Sequence, residues 1–511
     1  MKSLKKRQLT VLIAFALAFV LLAACAKGNG SDGGCLFGYG YSDFNDEHYR
    51  YDDVYENAFI STREQTSSNF SLDRNTASYG YARREINAGL KPSPTSVRIE
   101  EYVNYFSYNY KKPEGDEPLA VSGALFDCPW QEDHKLFTVG VAAKDIDFGN
   151  KKSNNLVFLI DVSGSMFGED RLGLIQQAFT MLAENLTSDD RVSIVTYASG
   201  TKVVADGILG GEKTKIANIL QDLKAGGSTA GAKGIQTAYD VARRNYIEGG
   251  NNRVLLATDG DFNVGISSKT KLKEFIASKR DGGVYLSVLG VGTINTRDDL
   301  METLARSGNG NYGYLDNLNE ARKMLVGELG GTLETVAKDA KIRVEFNAET
   351  VRKFRLIGYE NKMLTDDEFN DEKTDAGEIG AGHTVTAVYE LELRGTPEGK
   401  FADVILKCKK PDGTDEPIEI TESFDCSIYD ESPSEDEIFI SCVVEYGLLL
   451  RNSDYRGTAN FKDLSAMLEA LECVTGEKAD GFKREFFEIV QKASKLYKEY
   501  SGDSAGGGLE E

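Results

Sequence analysis

Two aspartates, two serines and a threonine offer the chemistry that stands out in this sequence. Asp161-Val162-Ser163-Gly164-Ser165 follows the apolar run Asn155 to Ile160. Thr258-Asp259-Gly260 follows a second run, Val254 to Ala257, and Thr229 lies between the two in Gly226-Gly227-Ser228-Thr229. All five side chains present oxygen, the donor that hard cations prefer. The set therefore suits Mg²⁺, with Ca²⁺ or Mn²⁺ as alternatives. Two carboxylates neutralise a divalent ion and three hydroxyls add no charge. At least one coordination position is then left to water, which a carboxylate from another molecule can replace. Plainer uses compete: Asp161 or Ser163 can cap a following helix, and Asp259-Gly260 can be only a turn.

Other chemistries find less support. His48, His134 and His383 are scattered and no paired-cysteine spacing occurs, which leaves a structural zinc site without ligands. His383, in a Gly-rich turn opening a strand, reads as structural rather than catalytic. No G-x-S-x-G elbow, phosphate loop with Lys or second carboxylate cluster accompanies the candidate site. The expected catalytic set is empty and the chain is read as a non-enzyme. Asp261 and Glu169-Asp170, near the socket, either tune it or serve solubility.

Elements must bring the five oxygens together. The unbroken apolar run before Asp161 fits a strand buried on both faces of a parallel sheet. Leu172, Ile175, Phe179, Leu182 and Leu186 then recur at helical spacing. Arg191 to Ala198 is a second strand, and Ser199-Gly200 turns it into an antiparallel edge strand over Thr201 to Ile208. Helices marked by Ile216, Ile235 and Leu272 alternate with strands at Val254, Val284 to Val291 and Tyr312 to Leu315. This is a doubly wound, mostly parallel six-stranded α/β sheet. In the order 3-2-1-4-5-6, strands one and four are neighbours and their carboxyl ends form the ligand crevice. Asp161 and Asp259 end those two strands.

This pattern resembles the von Willebrand factor type A domain with its metal-ion-dependent adhesion site, over about 175 of the 511 residues. The resemblance implies that Ser163 and Ser165 bind the metal directly and Thr229 does so in the ligand-competent state. Asp161 and Asp259 then act largely through water. It also implies that the last helix, Asn319 to Leu329, moves when a ligand carboxylate arrives. Asn75-Thr76-Ala77-Ser78-Tyr79, Val97 to Phe106, Phe354 to Asn361 and Asp375 to Thr386 are similar to a bacterial lipoprotein subfamily, the YfbK-like proteins. With them the match extends over most of residues 66–500.

Flanking the central region, Leu119 to Phe126 and Leu136 to Ala142 read as strands, and Ile342 to Phe346 and Val385 to Leu391 alternate strictly. One β-sandwich carrying the α/β domain as an insert is expected over 117–148 and 337–430, its metal face pointing away from the tether; two separate β units are the alternative. A helical segment follows.

The N-terminus reads as an address. Lys2, Lys5, Lys6 and Arg7 precede an apolar run from Val11 to Ala24, shorter than the ~20 residues that span a bilayer. Leu22-Ala23-Ala24-Cys25 resembles a bacterial lipobox, which implies a lipid on Cys25 and an extracytoplasmic chain anchored to the cell membrane; a plain secretory signal is the alternative. Six further cysteines permit disulfides there, with Cys408–Cys426 the first candidate pair and buried free thiols the alternative. The net charge of −22 argues against nucleic acid as a partner.

The expected organisation is a signal peptide over 1–24, a Gly-rich tether over 25–65 and an N-terminal region over 66–150. The metal-binding domain follows over 151–330, a β-rich domain over 331–430, a helical region over 431–500 and a disordered tail over 501–511. The expected function is a cell-surface module that binds a protein partner's Asp or Glu through the metal, in adhesion or envelope-complex assembly. A scaffold merely stabilised by metal and, less favoured, a Mg²⁺-dependent hydrolase are the alternatives.

Overall fold

The computed structural model describes residues 56–72, 75–145, 152–228, 231–260, 269–292, 298–328, 335–374, 376–395, 398–411, 414 and 416–502. The signal segment, Cys25 and Thr229 lie outside them.

The described chain opens with β1 (Ile60–Ser61), β2 (Ser67–Ser71), α1 (Ala77–Asn87) and α2 (Ile99–Val103), then the hairpin β3 (Leu119–Asp127) and β4 (His134–Ala143). The α/β domain follows: β5 (Asn154–Asp161), α3 (Leu172–Glu184), β6 (Arg191–Tyr197), β7 (Thr201–Leu209), α4 (Lys213–Gln221), α5 (Gly231–Arg244), β8 (Asn251–Thr258), α6 (Lys269–Arg280), β9 (Tyr285–Val291), α7 (Asp298–Ser307), β10 (Tyr312–Leu315) and α8 (Leu318–Arg322). The chain then returns to β structure with β11 (Thr335–Phe346), β12 (Val351–Ile357), a short α9 (Asp366–Asn370), β13 (Gly377–Gly380), β14 (Thr384–Leu393), β15 (Lys400–Lys409) and β16 (Pro417–Asp425). It ends in α10 (Glu435–Arg451), α11 (Phe461–Glu469), α12 (Glu472–Thr475) and α13 (Gly481–Gly502).

The insert's sheet runs β10-β9-β8-β5-β6-β7, parallel throughout except for β7, which pairs antiparallel with β6 across the Ser199-Gly200 turn. All eight residues of β5 are buried. The period-two pleat sends Leu156, Phe158 and Ile160 into one core with α3, where Phe158 stacks on Phe179 at 4.2 Å between ring centres. Val157 and Leu159 go into the opposite core with Ile235, Ala238 and Ala242 of α5. Helices on both faces are why this strand reads as continuously apolar.

The flanking strands form one sandwich rather than two units. One sheet has the order β1-β12-β14-β4-β3; the other has β13-β11-β15-β16, with β2 also paired to β11. Phe137, Val139 and Val141 of β4 share a core with Ile342 and Val344 of β11 and Val404 and Leu406 of β15. The insert leaves from the first sheet after β4 and returns into the second at β11. The other face of the first sheet contributes Phe126, Leu136 and Val388 to a helical core with α1, α2 and the C-terminal helices. A capping box between Ser434 and Glu437 starts α10.

Three expectations need correction. Residues 57–62, expected to belong to a flexible tether, are bonded into the fold: β1 pairs with β12, Asn57 Nδ2 donates to the carbonyls of Leu356 and Gly358, and Thr62 Oγ1 donates to that of Val351. Residues 501 and 502, expected to open a disordered tail, are the last residues of α13. Cys408 and Cys426 are free thiols. Cys408 stands opposite Ile418, whereas Cys426 follows Asp425, which pairs with Lys400 at the far end of the hairpin. Eight residues of strand separate them, ~26 Å at the usual rise and far beyond a disulfide's reach. Among the described residues no helix is long and apolar enough to cross a membrane.

Candidate metal centre

Strand register brings the two aspartates to one rim. β5 pairs with β8 in parallel up to Ile160↔Ala257, so Asp161 and Asp259 close adjacent strands at their carboxyl ends. The insert is entered at the opposite, amino end of β5. Asp161 is wholly buried and Asp259 nearly so. Asp161 Oδ1 accepts from the Ser163 amide at 2.8 Å, and Thr258 Oγ1 lies 3.4 Å from Oδ2. This turn folds the loop back so that the Ser163 and Ser165 hydroxyls meet at 3.0 Å.

The loop that leads to Thr229 is docked alongside. Gly226 donates to Val162 O at 2.7 Å and Gly164 to Gly227 O at 3.0 Å. Gly227 takes φ +88°, and a Cβ there would stand 2.6 Å from Ser199 Oγ, so glycine is required twice over. Ser199 Oγ also accepts from the Ser228 amide at 2.9 Å. The described loop thus stops one residue short of Thr229, and Asp261 likewise falls outside the described residues. The structure brings together Asp161, Ser163, Ser165 and the end of the strand that carries Asp259.

Burial raises the pKa of Asp161; bonds from Ser163 oppose this, and the neighbouring Asp259 charge adds to it. Among the described residues no cluster of three or more His, Cys, Asp or Glu side chains is placed to hold a metal. The candidate set has two carboxylates, its remaining donors being hydroxyls. That chemistry fits a hard, oxygen-seeking cation.

Several neighbours were not foreseen from sequence. Tyr197 is paired with Asp161 across β5 and β6, and its buried phenol is close enough to help hold Asp161 ionised. Register alone could have found it. Arg171 Nη1 donates to Ser165 O at 2.5 Å and fixes the end of the loop. Farther along the rim, Arg84 of α1 donates to Gly292 O and to the Tyr314 hydroxyl, so the N-terminal region wraps the β9–β10 side. Glu169 and Asp170 lie in the turn that leads into α3, with Asp170 3.9 Å from Arg84. The expected last helix is α8 continued by a π turn over Lys323–Glu328. His383 is buried where its turn enters β14.

Residues 155–325 match the von Willebrand factor type A domain family; residues 331–416 match the family described as "Uncharacterized protein YfbK, C-terminal". Residues 44–138 match a family described as "von Willebrand factor". Over 470 residues the chain is 36% identical to protein YfbK of Escherichia coli (strain K12), covering 87% of this chain and 81% of that one. The chain belongs to the YfbK family. Beyond this family, protein sll0103 of Synechocystis sp. is 28% identical over 206 residues, 40% of this chain and 48% of that one. Among solved structures, a von Willebrand factor type A protein from Catenulispora acidiphila aligns with a TM-score of 0.39 at 13% identity, covering 76% of this chain and 97% of that one. The α/β insert of this YfbK-family chain is a type A domain, and the sandwich and helices are the frame that carries it.

Proposed function

We propose that this chain is a binding module of the cell envelope whose type A domain captures a partner protein through a divalent cation. Asp161, Ser163, Ser165, Thr229 and Asp259 would hold the ion, Mg²⁺ first, with Ca²⁺ or Mn²⁺ as substitutes. The observation that carries this reading is the meeting of the Ser163 and Ser165 hydroxyls at 3.0 Å beside the buried Asp161 carboxylate, on the strand next to that of Asp259. The ion would supply a Lewis-acidic position open to a partner's Asp or Glu. The protein's part is to orient the oxygens: the Ser163 amide and Tyr197 hold Asp161, while Arg171 and Gly227 hold the loops.

The reading assigns no catalytic residue. Lipid on Cys25 would tether the module on the extracytoplasmic side of the membrane. Engagement of a carboxylate would shift the last helix to the extent that the ligand prefers one position of it over another.

The test is calorimetric titration of the whole protein with Mg²⁺ and Mn²⁺, wild type against Asp161→Ala, followed by partner capture with metal and with chelator. One tight metal site lost in the variant, with capture dependent on both, is expected. Metal that stabilises the fold without affecting capture would favour the scaffold reading.

A further inference from the structure

Among the described residues Phe167 is the most exposed large hydrophobic side chain, at 81%, against 54% for Leu90. It stands two residues beyond Ser165. Gly164–Met166 form one 3₁₀ turn that buries Met166 completely and leaves Phe167 in extended backbone pointing away. Gly168 then takes φ +141°, which an L side chain rarely adopts, and swings the chain off the rim. The loop therefore fills its core with one apolar residue and presents the next to solvent, an arrangement that folding does not ask for. Aromatic side chains are enriched at protein interfaces relative to the rest of the surface.

We infer that Phe167 is the apolar half of the partner-binding surface, and that the partner is an extended segment bearing an Asp or Glu with a bulky apolar residue two positions away. The inference rests on the metal-mediated reading above. Its geometry follows from the chain. Phe167 lies at most ~7 Å of backbone from Ser165, and positions i and i+2 of an extended segment share a face ~6.6 Å apart. The two spacings match, so a segment whose carboxylate meets the cation is proposed to carry its second side chain to the ring.

The test uses the full-length protein and synthetic peptides displayed on beads. One pair carries Leu-Ser-Asp or Asp-Ser-Leu in a Gly/Ser background; the controls replace Leu by Ser. Binding is read in Mg²⁺ and in EDTA, for wild type and Phe167→Ser, alongside Mn²⁺ titration and melting temperature of both proteins. The wild type is expected to prefer the Leu peptides by about tenfold, the worth of one small apolar contact. Phe167→Ser is expected to lose that preference while keeping Mn²⁺ affinity and melting temperature. Equal, Mg²⁺-dependent binding of Leu and Ser peptides by the wild type would overturn the inference and leave the metal reading intact. Absence of Mn²⁺ binding, or peptide binding indifferent to EDTA, would overturn both.

Discussion

Arg83 on α1 donates to Glu320 on α8 at 2.7 Å, and neither side chain is exposed by more than a few per cent. The same guanidinium donates to both Asp316 oxygens at 2.6 and 2.8 Å, to Glu485 of α13 at 3.0 Å and to the Tyr105 hydroxyl at 2.8 Å. All five of its N–H groups are thereby used. Tyr105 in turn donates to Glu320 at 2.7 Å, and the Lys323 ammonium sits 3.1 Å from the centre of the Tyr105 ring. One buried arginine therefore ties the start of the insert's last helix to both the N-terminal and the C-terminal helices.

Removing that arginine leaves Asp316 and Glu320 buried without their cation. Arg83→Met is expected to cost about 3–5 kcal/mol, as for other broken buried pairs. Glu485→Gln, whose side chain is 27% exposed, is expected to cost much less. Urea unfolding of the two variants checks the order; equal midpoints would show that the cluster does not hold the helices together.

The same clamp makes the last helix the place to look for switching. Saturation with metal and a carboxylate peptide is expected to change amide exchange over 318–328. Protection there identical with and without peptide would mean that the domain binds without moving this helix.

Metal is expected to stabilise the fold by mass action. At a concentration about 100 times its Kd, Mg²⁺ adds about 2.7 kcal/mol. Differential scanning calorimetry should show a rise in melting temperature that Asp161→Ala or Asp259→Ala abolishes and Ser163→Ala reduces. A rise that persists in the aspartate variants would place the metal elsewhere.

Two buried glutamates set a pH dependence. Burial, opposed by Arg98, lifts Glu101 from 4.5 to about 8, and burial lifts Glu445 to about 7. Between about pH 5 and 8 the folded chain keeps protons that the unfolded chain has released. The contribution of these groups to stability therefore falls as pH rises through that window and levels off above it. Melting temperatures at pH 5.5 and 8 should differ less in Glu101→Gln and Glu445→Gln than in the wild type. An unchanged difference would mean that other groups set the slope.

The five described cysteines are free. Burial raises Cys408 to about 12 and Cys473 to about 11, so both should react slowly with alkylating reagents in the native protein. Mass spectrometry after unreduced unfolding and alkylation should find Cys128, Cys408, Cys426, Cys442 and Cys473 all labelled. A protected Cys408–Cys426 pair would contradict the strand register of the β15–β16 hairpin.

The insert was legible because its signals are local. Apolar runs mark strands buried on both faces, Ser199-Gly200 marks the reversal, and Asp161 and Asp259 follow directly from strand ends. The sandwich was legible only in outline, since alternation at Ile342 to Phe346 tells which face is buried and not which strand is the neighbour. That β11 would take β2 on one side, from far upstream, is a pairing that no local pattern encodes. The Arg83 cluster was invisible for the same reason: its carboxylates lie 233, 237 and 402 residues away. A single arginine in Tyr79-Gly80-Tyr81-Ala82-Arg83 looks like any helix-surface cation. The misjudged cysteine pair shows that two cysteines flanking one hairpin need the register before they can be joined.

The central claim is tested most directly by titrating the intact protein with Mn²⁺ while following electron paramagnetic resonance and water proton relaxation. The account predicts one bound ion with at least one exchangeable water, lost in Asp161→Ala and displaced by a carboxylate peptide. Absence of binding, an ion without exchangeable water, or binding unaffected by Asp161→Ala would contradict it.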